Sequence, residues 1–190
     1  MKIAFLDTET TGLPDWKSPS DAEHQPHLVQ LACILADDQT GETLEKFEVI
    51  VKPDGWIIPD EVAAIHGITT ERALAEGVPE RDALDKLLEL VSKADKRGAH
   101  NKTFDQRIIR IGLKRYGYSE EVQEAWAQKD DFECTMRLFQ KKFGGKSTAL
   151  SKCFEQLTGK TLEDAHTAMA DTKACMEVYF SLNDNQGTPA

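Results

Sequence analysis

Residues 3–6, followed at once by "DTETTGLP", restrict this chain more than any other segment. Ile3, Ala4, Phe5 and Leu6 read as a short buried strand closed by a Gly-Leu-Pro turn, yet Asp7 and Glu9 follow directly. Side chains two apart on a strand project to the same face. Two like charges are therefore aimed at one place, at the end of what otherwise reads as core. Each carboxylate disfavours ionisation of the other, and a cation removes that penalty. Carboxylate oxygen suits Mg²⁺ or Mn²⁺ better than zinc or copper. A solvated loop is the competing reading, which Thr8, Thr10 and Thr11 would suit, so further carboxylates have to be found elsewhere.

At 190 residues the chain is long enough for one domain with a real core. No apolar run approaches the length that spans a bilayer, and the N-terminus lacks the shape of a signal peptide. Cys33, Cys134, Cys153 and Cys175 form no CxxC pair and read as thiols in a reducing compartment. The cytoplasm is the expected address, with no membrane partner. A net charge of −10 argues against a broad basic surface for nucleic acid. It leaves room for an enzyme that grips nucleic acid locally. Cations do cluster, as Lys102, Arg107, Arg110, Lys114 and Arg115, and again as Lys141, Lys142 and Lys146.

The expected strands are 2–7, 28–36, 43–51 and 96–100, with a short one at 131–133; the second and third form a hairpin-like pair. Helices are expected over 59–67, 79–94, 103–116, 133–143, 147–158 and 165–182, with Ile108, Ile111 and Leu113 turned inward on the third. Strands first and strand–helix alternation afterwards give an α/β domain with a mixed sheet flanked by helices. Residues 13–27 form a long polar loop, a kind that tends to be functional or mobile. His24 and His27 within it are read as surface residues. "GGKS" at 144–147 is no P-loop, because the required first glycine is Gln140.

Two more acidic clusters exist. "HNKTFD" (100–105) puts Asp105 in a first helical turn, where an acid also favours the helix dipole. "DAHTAMADTKA" (164–174) puts His166 five residues before Asp171, on an expected helix start for which Asp164 could be a mere cap.

Taken in order, "FLDTETTG", "HNKTFD" and "HTAMAD" resemble the three motifs of the DEDDh, or DnaQ-like, 3′–5′ exonucleases, and the resemblance covers nearly the whole chain. "VKPDGWIIPDEVAAIHGIT" and "KKFGGKSTALSKCFEQLTG" are similar to segments of one member, the proofreading epsilon subunit of bacterial DNA polymerase III. The resemblance implies a ribonuclease H-like fold with a central mixed five-stranded sheet. It implies one exonuclease domain over 1–182, followed by a flexible tail at 183–190. It further implies two ions, Mg²⁺ or Mn²⁺, per active site. Asp7, Glu9 and Asp171 would bind one; Asp7 would bridge to the second, held by Asp105 through water. His166 would be the general base, and Thr8, Leu13, His66, Asn101 and Phe104 would line the substrate pocket. For Leu13 and Phe104, simple core packing is the alternative.

The expected activity is release of nucleoside 5′-monophosphates from single-stranded or frayed DNA 3′ ends. RNA trimming and a non-catalytic nucleic-acid-binding module are the rivals. A DNA polymerase or replication partner is compatible with the resemblance. The short stretch after Asp171 weakens it, because the docking segment of the epsilon subunit has no counterpart there. Cys134-Thr135 stands where many relatives carry Asp followed by Thr or Ser.

Overall fold

The computed structural model describes residues 1–183. Its centre is a five-stranded mixed sheet in the order β3-β2-β1-β4-β5. The strands are β1 (Lys2–Thr10), β2 (Leu28–Asp37), β3 (Thr43–Ile50), β4 (Lys96–Ala99) and β5 (Phe132–Cys134). β1, β2 and β3 pair antiparallel, whereas β4 runs parallel to β1 and β5 parallel to β4. All five expected strands are present; the first runs three residues further than its apolar pattern suggested.

That extension matters. β4 pairs only with Ile3, Ala4 and Phe5 of β1, so the β4 side of β1 is free from Leu6 onward. On its other side β1 stays paired with β2 to Thr10, with a register shift between Glu9 and Thr10. Bulges of this kind re-aim side chains and are common beside active sites. The carboxyl end of β1 thus projects beyond the short β4. Gly98 lets β4 approach so closely: a Cβ there would lie 2.7 Å from the Phe5 ring.

The helices are α1 (Asp60–His66), α2 (Thr70–Glu76), α3 (Glu80–Val91), α4 (Lys102–Arg115), α5 (Glu120–Ala127), α6 (Thr135–Phe143), α7 (Leu150–Thr158) and α8 (Ala168–Asn183). Sheet alternation sorts the core into two layers. Ala4 and Leu6 pack with Leu84, Leu87, Ile108 and Ile109 of α3 and α4. Ile3 and Phe5 face the other way, onto Cys175 and Tyr179 of α8. Ile108, Ile111 and Leu113 are buried as expected. No described helix is long and apolar enough to cross a membrane.

Three helical readings need correction. α2 and α5 went unread: each buries one residue, Ala73 and Trp126, too little for a periodic stripe. α8 starts at Ala168 rather than 165, which takes His166 off the helix, and it runs through Asn183, the first residue of the expected tail. Residues 184–190 of that tail lie outside the described residues.

Candidate active site

β1 runs between two helix starts, and this is what assembles the acids. Asp7 and Glu9 project to the α8 face of the sheet with Phe5. Asp171 sits in the first turn of α8, so carboxylate oxygens of Asp7, Glu9 and Asp171 come within 4.8 Å of one another. Asp105 arrives from the opposite layer in the first turn of α4, 2 % exposed. Its Oδ1 accepts the Thr8 hydroxyl at 2.9 Å. Four acids from three elements therefore meet at the carboxyl end of the central strand, where α/β sheets place ligands.

Without a counter-ion the cluster is electrostatically unfavourable. Burial, then the charges of Asp105, Asp171 and Glu9, hold Asp7 well above the usual carboxylate range. Burial and the Asp171 and Asp105 charges push Glu9 up to about 8. Burial takes Asp105 up to about 7 although the Thr8 hydroxyl pulls it down. Asp171 is raised by burial, against the His166 amide that favours its charge. Hard oxygen ligands packed this way fit Mg²⁺ or Mn²⁺ in donor type, and a divalent cation would reverse each shift.

His166 lies in the turn before α8, not on it. Its φ is +72°, and Asp164 two residues earlier has φ +53°. Both are residue types that enter the left-handed region more readily than most. Asp164 is no N-terminal cap through its side chain; its carbonyl accepts from the Thr167 amide and hydroxyl. The His166 backbone N–H donates to Asp171 Oδ2 at 3.2 Å, which fixes the exposed histidine beside the carboxylates.

The N-terminus of α8 is capped from the sheet. Gln30 Oε1 accepts from the Ala168 amide at 3.1 Å, and Glu48 Oε1 accepts from the Met169 amide at 3.1 Å and from Gln30 Nε2 at 2.9 Å. Gln30 pairs with Glu9 across the sheet, and Glu48 pairs with Ala32, itself opposite Asp7. The helix that delivers Asp171 is thereby tied to the strands that deliver Asp7 and Glu9. Neither residue announces this in sequence, for the capping contacts span 138 and 121 residues.

The expected substrate residues fall into separate places. Leu13 is not core: it is 84 % exposed. Thr8 is buried, its hydroxyl committed to Asp105, so its side chain supports the site rather than meeting solvent. Asn101 is exposed, in the left-handed region at the start of α4 (φ 59°). Phe104 is half-buried against the main core. His66 closes α1, buried, with Nδ1 accepting from the Ile68 amide; burial lowers its pKa although the neighbouring Thr10 backbone favours the proton. It lines a cleft of about 460 Å³ together with Asp164 and Thr167, beside the His166 turn.

Two further groups brace the site. The His100 ring bonds the Thr148 carbonyl through Nε2 at 2.8 Å and the Thr135 hydroxyl through Nδ1 at 2.9 Å. A carbonyl only accepts, so Nε2 carries the proton and Nδ1 accepts from Thr135. The Thr135 hydroxyl also lies 3.6 Å from Cys175 Sγ, so it joins the end of β4 to α8. The 13–27 loop is anchored rather than loose. The Gln25 amide is clasped by the Asp15 and Pro19 carbonyls, each at 2.9 Å, and Arg107 donates to the Ser18 carbonyl at 2.6 Å. His27 is half-buried, stacked on Trp56 at 4.5 Å, and not the surface residue expected; His24 is exposed.

A central mixed sheet with four acids converging at the end of its first strand defines a nuclease of the ribonuclease H-like class. Residues 4–179 match the RNase_T family, described as Exonuclease, and the chain belongs to this DnaQ-like DEDDh family of 3′–5′ exonucleases. It is 23 % identical over 184 residues to Ribonuclease T of Actinobacillus pleuropneumoniae, covering 83 % of this chain and 82 % of that protein. It is 24 % identical over 186 residues to Ribonuclease T of Haemophilus influenzae, covering 92 % and 76 %. A zinc-bound complex of E. coli ExoI with single-stranded DNA superposes with a TM-score of 0.80 at 21 % identity, covering 97 % of this chain and 41 % of that one. A 3′-exonuclease that recognises the histone mRNA stem-loop superposes at 0.69 with 14 % identity, covering 96 % and 64 %. The chain thus spans about two fifths of the ExoI chain.

Proposed function

We propose that this chain is a Mg²⁺- or Mn²⁺-dependent exonuclease that trims single-stranded or frayed 3′ ends of DNA to nucleoside 5′-monophosphates, within one domain over 1–182. The observation that carries this is the convergence of Asp7, Glu9 and Asp171 oxygens within 4.8 Å beside a buried Asp105. Asp7, Glu9 and Asp171 would hold one ion, and Asp7 with Asp105 a second. When bound, such ions stabilise the charge that develops on the attacking and leaving oxygens of an in-line displacement. His166, exposed and held by its amide against Asp171, is placed to take the proton of the attacking water. Leu13 would supply an exposed apolar surface for a terminal base, and Asn101 and His66 polar groups for the nucleotide. A DNA polymerase or replication partner forms no part of this reading.

RNA is the second substrate reading, favoured by relatives that carry the name Ribonuclease T. Metal-held phosphates do not distinguish the sugars, whereas a contact to the 2′-hydroxyl does. Matched 5′-labelled DNA and RNA strands with Mn²⁺ test the proposal. A ladder shortening from the 3′ end, faster on DNA and abolished by EDTA, is expected. Cleavage that survives EDTA, or that starts from the 5′ end, would overturn it.

A further inference from the structure

The outer face of α4 carries a cleft of about 490 Å³ lined by Trp16 and by Lys102, Arg107, Arg110, Lys129 and Arg137. Five cations and no acid line it, on a chain whose net charge is −10. Two of the five build the walls. Arg107 holds the Ser18 and Asp15 carbonyls, and Lys102 donates to the Phe132 and Lys129 carbonyls. Arg110, Lys129 and Arg137 have no carboxylate partner among the described residues. Three unneutralised cations converging on one concavity repel one another, and an anion relieves that repulsion. The first turn of α4 holds Lys102 and Thr103, which line the cleft, and Asp105, so these two residues lie within about one helical turn of that carboxylate along α4. At its rim Trp16 is 55 % exposed, with the Arg107 guanidinium 6.0 Å from its ring centroid.

We infer that this cleft holds the phosphodiester backbone of the strand upstream of its 3′ end, with Trp16 as a stacking platform for a base. The inference rests on the exonuclease reading of the adjacent site. Phosphates fit because they bring the missing negative charge at regular spacing, and every base offers a face to an aromatic ring. Three sheltered phosphate contacts would let an acidic protein retain a nucleic-acid strand without a basic surface.

Fluorescence anisotropy in EDTA, with labelled strands of about 4 and about 12 nucleotides as DNA and as RNA, tests this apart from catalysis. The longer strand should bind more tightly by about tenfold or more, with a log K against log salt slope of about −2. The Arg110→Glu/Arg137→Glu double variant should lose the gain with length and flatten the slope by about 1.4. The Arg110→Lys/Arg137→Lys pair should retain both, which separates lost charge from lost fold. Trp16→Ala should weaken the long strand by about tenfold. Retention of the length gain by the Glu variant, or a loss confined to one sugar, would overturn the inference. Length-dependent binding without Mn²⁺-dependent trimming would instead overturn the exonuclease reading and leave the cleft standing.

Discussion

Two places in this protein enclose charge, and they do so in opposite ways. Arg97, 2 % exposed at the start of β4, is closed by its surroundings. Its guanidinium donates to the Trp126 carbonyl at 3.0 Å, to the Gln128 carbonyl at 2.6 Å and to Asp131 at 2.6 Å. It also lies 4.8 Å from the ring centroids of both Trp126 and Phe132. The acids at the far end of β1 are the reverse: like charges gathered without cations, each with a raised pKa. A buried charge paired through most of its donors fixes a fold, even with Arg97 Nε left without a partner. An unsatisfied cluster of one sign is what a binding site for the opposite sign looks like before it is filled.

The contrast can be broken by substitution. The largest effect is expected at His166, whose loss should cost turnover and little stability. His166→Ala should lower kcat on the order of 10²–10⁴-fold in steady-state assays while the melting temperature stays put. A loss under about threefold would remove it as the base. Arg97→Ala should do the opposite, destabilising the fold by about 2–5 kcal/mol in denaturant titration, because it takes the donor from the Trp126 and Gln128 carbonyls and leaves a cavity beside the Trp126 and Phe132 rings. Strand trimming should persist where the variant remains folded.

A smaller effect separates the two regions by pH. Glu9 rises from 4.5 to about 8 and Asp105 from 3.8 to about 7 on folding, so the metal-free folded state holds protons that the unfolded chain has released. The stability this contributes is present below about pH 4 and lost as pH rises through the folded values, toward pH 8. In EDTA the melting temperature should therefore fall steadily between pH 5 and pH 8. Saturating Mn²⁺ should remove that fall. A flat profile in EDTA would contradict the account of the cluster. Smallest is Gln30→Ala, which uncaps the Ala168 amide: kcat should drop about tenfold. Unaltered kinetics would show that α8 needs no tie to the sheet.

Asp7 and Glu9 were legible because they end an apolar strand, whereas Asp105 and Asp171, readable as ordinary helix-start acids, joined them only through the three-motif resemblance. The five strands were legible as β-rich apolar runs bounded by turn residues. α5 was not, since "EEVQEAWA" buries only Trp126 fully, and α2 buries only Ala73. The start of α8 was misplaced because its cap comes from Gln30 and Glu48 and leaves no local signature. His166 was found by its motif, but its positive φ and its place in a turn were invisible to a helical spacing argument. The 13–27 loop read as functional or mobile by its length, and Gln25 and Arg107 anchor it through carbonyls that carry no sequence signal.

The acids at the end of β1 are proposed to form a metal site with His166 beside it rather than in it. Calorimetric titration of Mn²⁺ into the wild-type chain, Asp7→Ala and His166→Ala tests it most directly. The account predicts saturable binding to the wild type, its loss in Asp7→Ala and its retention in His166→Ala. Equal binding by Asp7→Ala and the wild type would contradict the metal site, and loss of binding in His166→Ala would make the histidine a ligand.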